Sequence, residues 1–325
     1  MKTKLFAATA HGLLTLVREG NGWREDDQAL PAHYLTCVAG QGYTILAGTR
    51  QGTYRSGDLG QTWWQANDGL SELHVRWLAF HPSNADLAFA GTEPAAIFVS
   101  RDGGQSWQER PEVASLRDDL GWDLPYSPEA GCVRDLAFHG LRGYAAVEQG
   151  GVLRTADRGN TWGLVEGSTG RPHTSIPPGF IHPDVHSVVV HPSSQDQLFA
   201  PTGGGFYYST DAGQTWALLY RCYCRAVWVD PQRPGHVILG PADGVDRNGR
   251  IEESLDGGQS WQPVMAGLET RWPHHMVERF VQAGDELLAV LSNGQLIVAP
   301  LATLAWQSLL PREQGVTAVA AAQQE

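Results

Sequence analysis

One eight-residue pattern, Ser/Thr-x-Asp-x-Gly-x-Thr/Ser-Trp, occurs five times in this 325-residue chain and constrains its fold more than any other feature. The copies begin at Ser56, Ser100, Thr155, Ser209 and Ser254 and end at Trp63, Trp107, Trp162, Trp216 and Trp261. The glycine supplies a left-handed backbone position for a tight turn, and the aspartate accepts hydrogen bonds from amides of that turn. The tryptophan offers a large apolar surface to a neighbouring sheet. Asp58, Asp102, Asp157, Asp211 and Asp256 therefore read as fold-stabilising residues, not as catalytic carboxylates. Degenerate copies end at Trp23 and Trp306, so tryptophans recur at intervals from 40 residues (Trp23 to Trp63) to 55 (Trp107 to Trp162).

Four short strands with their turns occupy roughly 40 residues, so each interval reads as one propeller blade. Between Trp63 and Trp107 the strands are Val75–His81 (A), Asp86–Gly91 (B) and Ala96–Ser100 (C). Other A strands begin near Leu35, Val133, Val185, Cys224 and Val277. The chain opens on a B strand at Leu5, and the missing A strand lies at the other end, from Gly315 to Ala321. Pairing these two ends closes the ring and removes exposed sheet edges. The expectation is an all-β fold, a single seven-bladed β-propeller spanning residues 1–325, closed by the C-terminal strand in the N-terminal blade. The pattern resembles the Asp-box, or BNR, repeat of sialidases, sortilin-type receptors and photosystem assembly factors. Among these it looks most like bacterial seven-bladed "glycosyl hydrolase BNR repeat" proteins.

The formal net charge of -12 argues against a nucleic-acid partner, which needs a basic surface to displace counterions. No apolar run approaches the roughly 20 residues of a membrane helix. Two lysines before a small apolar run give the N-terminus the look of an export signal. That run is broken by His11 and Gly12, however, and Leu5–Gly12 aligns with Leu198–Gly205, so it reads as a strand and a cytoplasmic location is expected. Cys37, Cys132, Cys222 and Cys224 are too few for a disulfide framework and read as reduced thiols.

Function has to be sought in a site rather than in the propeller. Strand direction puts A-strand starts and B–C turns on one rim and the Asp-boxes on the other. The second residue of each A strand, in register, is Thr36, Arg76, Arg134, His186, Arg225, Glu278 or Thr317. The B–C turns bring Arg50, Glu93, Glu148, Asp243 and Asn293 to the same rim, and His74, Asp184, Tyr223 and the His274-His275 pair precede A strands. Gly203-Gly204-Gly205 in a further B–C turn allows close backbone approach to a ligand. Long insertions at 116–128 and 170–184 overhang this rim, with Trp122, Tyr126, His173 and His182 as expected contacts. His81, His139 and His191 fall at the opposite rim and read as turn residues.

The rim's chemistry points to a small anionic ligand, carboxylate- or phosphate-bearing and in one version glycosidic, at the mouth of the central channel. Arg76, Arg134 and Arg225 would grip it bidentately, with Glu278, Trp122 and His74 as further binding residues. Hydrolysis of, or elimination from, that ligand would use Glu93, Glu148 or His186 as acid or base and Tyr223 as nucleophile or proton donor. The resemblance to sialidases extends to three arginines beside a Tyr–Glu pair, but those enzymes have six blades, so their activity is not carried over. No cofactor is required; a divalent-metal version would use His186 with Asp184, an i, i+2 pair on one side of a strand, joined by Glu148, Glu93 or His74. The alternative is a non-catalytic scaffold or assembly factor that binds a protein partner, as the resemblance to the photosystem II assembly factor implies.

Overall fold

A computed structural model describes every residue except Met1, Asn21, Glu129, 172–174, Pro234 and Glu325. His173 therefore lies outside the described residues. Seven four-stranded antiparallel sheets follow one another around a ring. Each runs from an inner strand A to an outer strand D, as Val75–His81, Asn84–Thr92, Ile97–Ser100 and Gln108–Glu109 do in the third blade. The first blade is built as the repeat count requires: Val316–Gln324 is its inner strand and pairs with Lys2–Thr9, matching Phe6 to Ala320 and Ala7 to Val319. The first and last blades are also pinned by Trp23 and Arg18, which donate to the two Glu286 oxygens at 2.8 and 3.0 Å.

The Asp-boxes do what their chemistry dictates. In the second blade Asp58 Oδ1 accepts from Ser56 Oγ at 2.7 Å and from the Thr62 amide at 2.9 Å, and Oδ2 accepts from Thr62 Oγ1 at 2.6 Å. The same constellation recurs at Asp102, Asp157, Asp211 and Asp256. Gly159 holds φ +79°, and a Cβ there would stand 2.3 Å from Phe89 of the preceding blade, so the box is also a point of contact between blades. Trp107, Trp162 and Trp216 are buried, and Trp107 donates to the Ala66 carbonyl of the blade before it.

These boxes fix which rim is which. Backbone amides at or beside the box turns donate to the A–B turns: Leu59 to Tyr43, Arg158 to Leu141, Ala212 to Asp196 and Gly257 to Gly235. The A-strand starts and the B–C turns thus lie on the opposite rim, as strand direction requires. His81 and His191 belong to the box rim and cap their turns, each accepting at Nδ1 the backbone amide of a serine two residues on.

Two local features differ from the sequence reading. The 116–128 insertion is not loop throughout, because Pro111–Leu120 is an α-helix. Proline sits in its first turn, Glu112 faces the positive end of the helix dipole, and Gly121 ends it at φ +66°. In the fifth blade the inner strand is regular only over Val189–Val190, with an isolated bridge from Val185 to Thr202. The polar groups this break releases are taken up by neighbours: Asp135 Oδ2 accepts the Val188 amide at 3.1 Å, and Ser187 Oγ donates to the Arg225 carbonyl at 2.9 Å.

Candidate functional site

Every inner strand carries one surplus residue near its start. Leu35 pairs with Thr49 and Cys37 with Gly48, which leaves Thr36 unpaired. Arg76, Arg134, Glu278 and Thr317 are left over in the same way, and Arg225 falls within a similar irregularity. In the fifth blade the break between Val185 and Val189 contains His186. Such a bulge frees one side chain from the in–out alternation of the ladder and re-aims it. The residues aligned as second in each A strand are thus the bulge residues, and they line the channel.

Three of them hook one blade to the next. Thr317 Oγ1 donates to the Leu35 carbonyl at 2.7 Å, Thr36 Oγ1 to the Val75 carbonyl, and His186 Nδ1 to the Cys224 carbonyl at 2.8 Å. In each case the acceptor is the residue just before the next bulge. The charged four form a belt across the channel. Arg134 reaches Glu148 at 2.8 Å and, from the fourth blade to the seventh, Glu278 at 3.7 Å. Glu278 also pairs with Arg225, whose guanidinium donates to the Tyr223 hydroxyl at 3.0 and 3.2 Å. Arg76 pairs with Glu93 at 3.0 Å, and Glu93 accepts from Ser127 of the insertion at 2.8 Å.

Burial disfavours charge in the belt, and the partners outweigh it. Against that burial, Glu148 above all, with Glu278 among the lesser causes, holds Arg134 well above its ordinary range. Arg134 likewise lowers Glu148, and Arg225 followed by Arg134 lowers Glu278. Asp184 is lowered by His186 despite its own burial. Burial drives Tyr223 up to about 12, which leaves it a hydroxyl. Among the described carboxyls near the channel, Asp135 alone is raised by burial, to about 7, and both its oxygens already accept backbone amides.

The belt separates two cavities. The outer, about 220 Å³, opens at the mouth and is lined by Arg50, His74, Arg76, Arg134, Glu278 and Arg279, with Thr36, Tyr34, Ser292 and Thr317. The inner, about 330 Å³, is lined by Trp77, Asp135, His186, Arg225 and Phe280 with their neighbours. Arg279 belongs to both. Its guanidinium lies 4.5 Å from the centroid of Trp77, across the channel, and forms no hydrogen bond or ion pair with a described residue. Burial lowers its proton affinity.

The BNR/Asp-box repeat model matches residues 98–109 and 207–218, and these segments lie in two of the five turns described above. The chain is an Asp-box β-propeller. A Paenibacillus protein described as a xyloglucanase is 26% identical over 276 residues, 72% of this chain; the propeller spans 25% of that relative's length. Among solved structures, YCF48 bound to a D1 peptide superposes with a TM-score of 0.61 at 18% identity, covering 90% of the propeller and 88% of YCF48. The GH74 xyloglucanase from Xanthomonas campestris gives 0.60 at 17% identity, covering 95% and 47% of the two chains. At these identities the structural likeness is one of fold.

The propeller brings together most of the side chains singled out from sequence, with some exceptions. Arg76, Arg134, Arg225, Glu278, Glu93, Glu148, His74, Asp184, His186 and Tyr223 do meet at the channel mouth. Trp122 does not, and its assignment as a ligand contact is corrected. It is 2% exposed, packs beneath Gly131 and Gly150, and donates Nε1–H to the Gly170 carbonyl at 2.7 Å, so it ties the two insertions together. Gly203 and Gly204 serve their own blade: a Cβ at Gly203 would stand 2.1 Å from Asp184 Oδ2, and one at Gly204 2.3 Å from His182. Asp243 turns outward to Arg250 and Asn248, and His275 stacks on Trp272. Arg279, which sequence reasoning passed over, was marked only by following a bulge residue in the last blade.

Proposed function

We propose that the channel mouth binds a small oxyanion, a carboxylate or phosphate, in the outer cavity. Arg279 carries this reading. A half-buried guanidinium with no acceptor among the described residues turns its donors to whatever fills the cavity it lines, and a planar fork suits carboxylate and phosphate alike. Arg50, close enough to Tyr34 for a cation–π contact at 5.9 Å, and His74, whose buried Nε2 has no hydrogen-bond partner among the described residues, face the same space. Arg76, Arg134 and Arg225 are already held by Glu93, Glu148 and Glu278, so they contribute field and shape instead of the primary grip.

The electrostatics support binding ahead of hydrolysis or elimination. A general acid at neutral pH needs a raised carboxyl. Glu148, Asp184 and Glu278 are all lowered, and Tyr223 is too weakly acidic to serve as a phenolate nucleophile. Relatives of this fold include a xyloglucanase and a peptide-bound protein, which supports both a glycan and a peptide as bearer of the anionic group. The test is calorimetric titration with phosphate, citrate, a uronic acid and a short acidic peptide, on the wild type and on Arg279→Gln. Saturable binding weakened about 10- to 100-fold by the substitution is expected, the range of one charged hydrogen bond. No saturable binding by any of the four, or binding indifferent to Arg279, would sink the reading.

A further inference from the structure

Beside the belt stands a second group of side chains, of which the oxyanion reading uses only Glu148, as the partner of Arg134. One ligand atom each from Glu148, Asp184 and His186 lie within 4.8 Å of one another. His186 comes from the break in the fifth inner strand, Asp184 from the segment just before it, and Glu148 from the end of a B strand in the fourth blade. The His186 side chain is fully buried, and those of Glu148 and Asp184 are 6% and 15% exposed.

The interblade hook fixes one proton of the imidazole and leaves Nε2 to be occupied by either a second proton or a metal ion. A carbonyl oxygen only accepts, so the 2.8 Å contact to Cys224 places a proton on His186 Nδ1. In the neutral ring Nε2 then presents a lone pair, and it faces Asp184 Oδ1 at 3.1 Å. That oxygen is buried and has no other hydrogen-bond partner among the described residues. Two lone pairs cannot meet at this distance without a positive centre between or beside them. The Tyr223 hydroxyl, 3.4 Å from Nε2 and already accepting from Arg225, stands at the long limit of hydrogen bonding and does not satisfy Asp184.

We propose that Glu148, Asp184 and His186 form a site for one divalent first-row transition cation. The 3.1 Å separation of Nε2 and Oδ1 matches the ~3 Å edge made by ligand bonds of ~2.1 Å at right angles. An imidazole whose other nitrogen donates to a backbone carbonyl is the usual arrangement of a metal-bound histidine, because that bond fixes tautomer and ring orientation. The carboxylates are anchored too. Glu148 is held by Arg134 at 2.8 Å, and Gly203 lets its backbone lie against Asp184, donating its amide to the Asp184 carbonyl at 2.9 Å. One nitrogen and two carboxylate donors form a predominantly oxygen set that suits Mn²⁺, Fe²⁺ or Zn²⁺. This inference does not depend on the oxyanion reading.

Mn²⁺ is the probe, since it avoids the nearby Cys222 and Cys224 thiols. Full-length protein dialysed against a chelator and titrated with Mn²⁺, with the free ion followed by electron paramagnetic resonance, is expected to take up one ion per chain. Asp184→Asn and Glu148→Gln, which preserve side-chain volume, are each expected to weaken uptake roughly 10-fold or more. Paramagnetic broadening of amide resonances in the wild type, confined to residues around Asp184, His186 and Glu148, locates the ion without any variant and decides the matter should both variants fail to fold. No stoichiometric uptake, or broadening centred elsewhere, would overturn the proposal and leave a protonated His186 paired with Asp184 as the positive centre. Anion titrations on metal-free protein keep the two readings apart: uptake of Mn²⁺ without anion binding removes only the earlier one.

Discussion

Asp58, Asp102, Asp157, Asp211 and Asp256 do the same work five times. Serine or threonine hydroxyls and turn amides favour the ionised form and lower all five carboxyls, to about 2 at Asp58 and Asp256. A carboxyl depressed in the folded state stabilises it above the unfolded pKa of roughly 3.9 and loses that contribution as pH falls through the folded value. Stability is therefore expected to fall between about pH 4 and pH 2 for Asp58 and Asp256, and Asp58→Asn should flatten that limb, read as the melting temperature against pH. Asp157→Ala, which removes three hydrogen bonds of one turn, should cost about 1–3 kcal/mol and leave oxyanion binding untouched. Arg134→Ala is a different case. It strands the buried Glu148 and leaves Glu278 to Arg225 alone, and chemical denaturation should show a loss of about 3–5 kcal/mol.

At the scale of elements, legibility followed repetition. The strands, the box turns and the C-terminal strand in the first blade could be read because each repeats a pattern present elsewhere in the chain. Val316–Gln324 was recognisable as the one missing inner strand. The bulge residues were found by register alone, although nothing in a single strand announces a bulge. The same alignment hid Arg279, because its equivalents Cys37, Trp77 and Asp135 share no chemistry with it. The helix Pro111–Leu120 occurs once, so no second copy pointed to it; only Pro111 and Gly121 marked its ends. Trp122 misled because an aromatic residue in an insertion looks like a contact, whereas it fills the space under two glycines. The element carrying most leverage is the closing strand. Ending the chain at Gly315 would expose the whole edge of Lys2–Thr9, and calorimetry with light scattering should show loss of the cooperative transition together with self-association.

Across the whole molecule, the two rims divide labour. The box rim is a ring of hydrogen-bonded turns that bind blade to blade; the other gathers polar groups that the fold does not fully consume, at Arg279, His74 and the Glu148–Asp184–His186 group. The bulge that recurs around the channel has a consequence for how such a molecule changes over time. A residue outside the ladder can be exchanged without breaking a strand pair, so the positions now held by Thr36, Arg76, Arg134, His186, Arg225, Glu278 and Thr317 behave like a circle of type set in a fixed frame. Threonines can hold the frame while their neighbours are reset. A lineage built on this ring can therefore change its ligand chemistry without re-registering a strand, provided that a charged position and its partner are exchanged together.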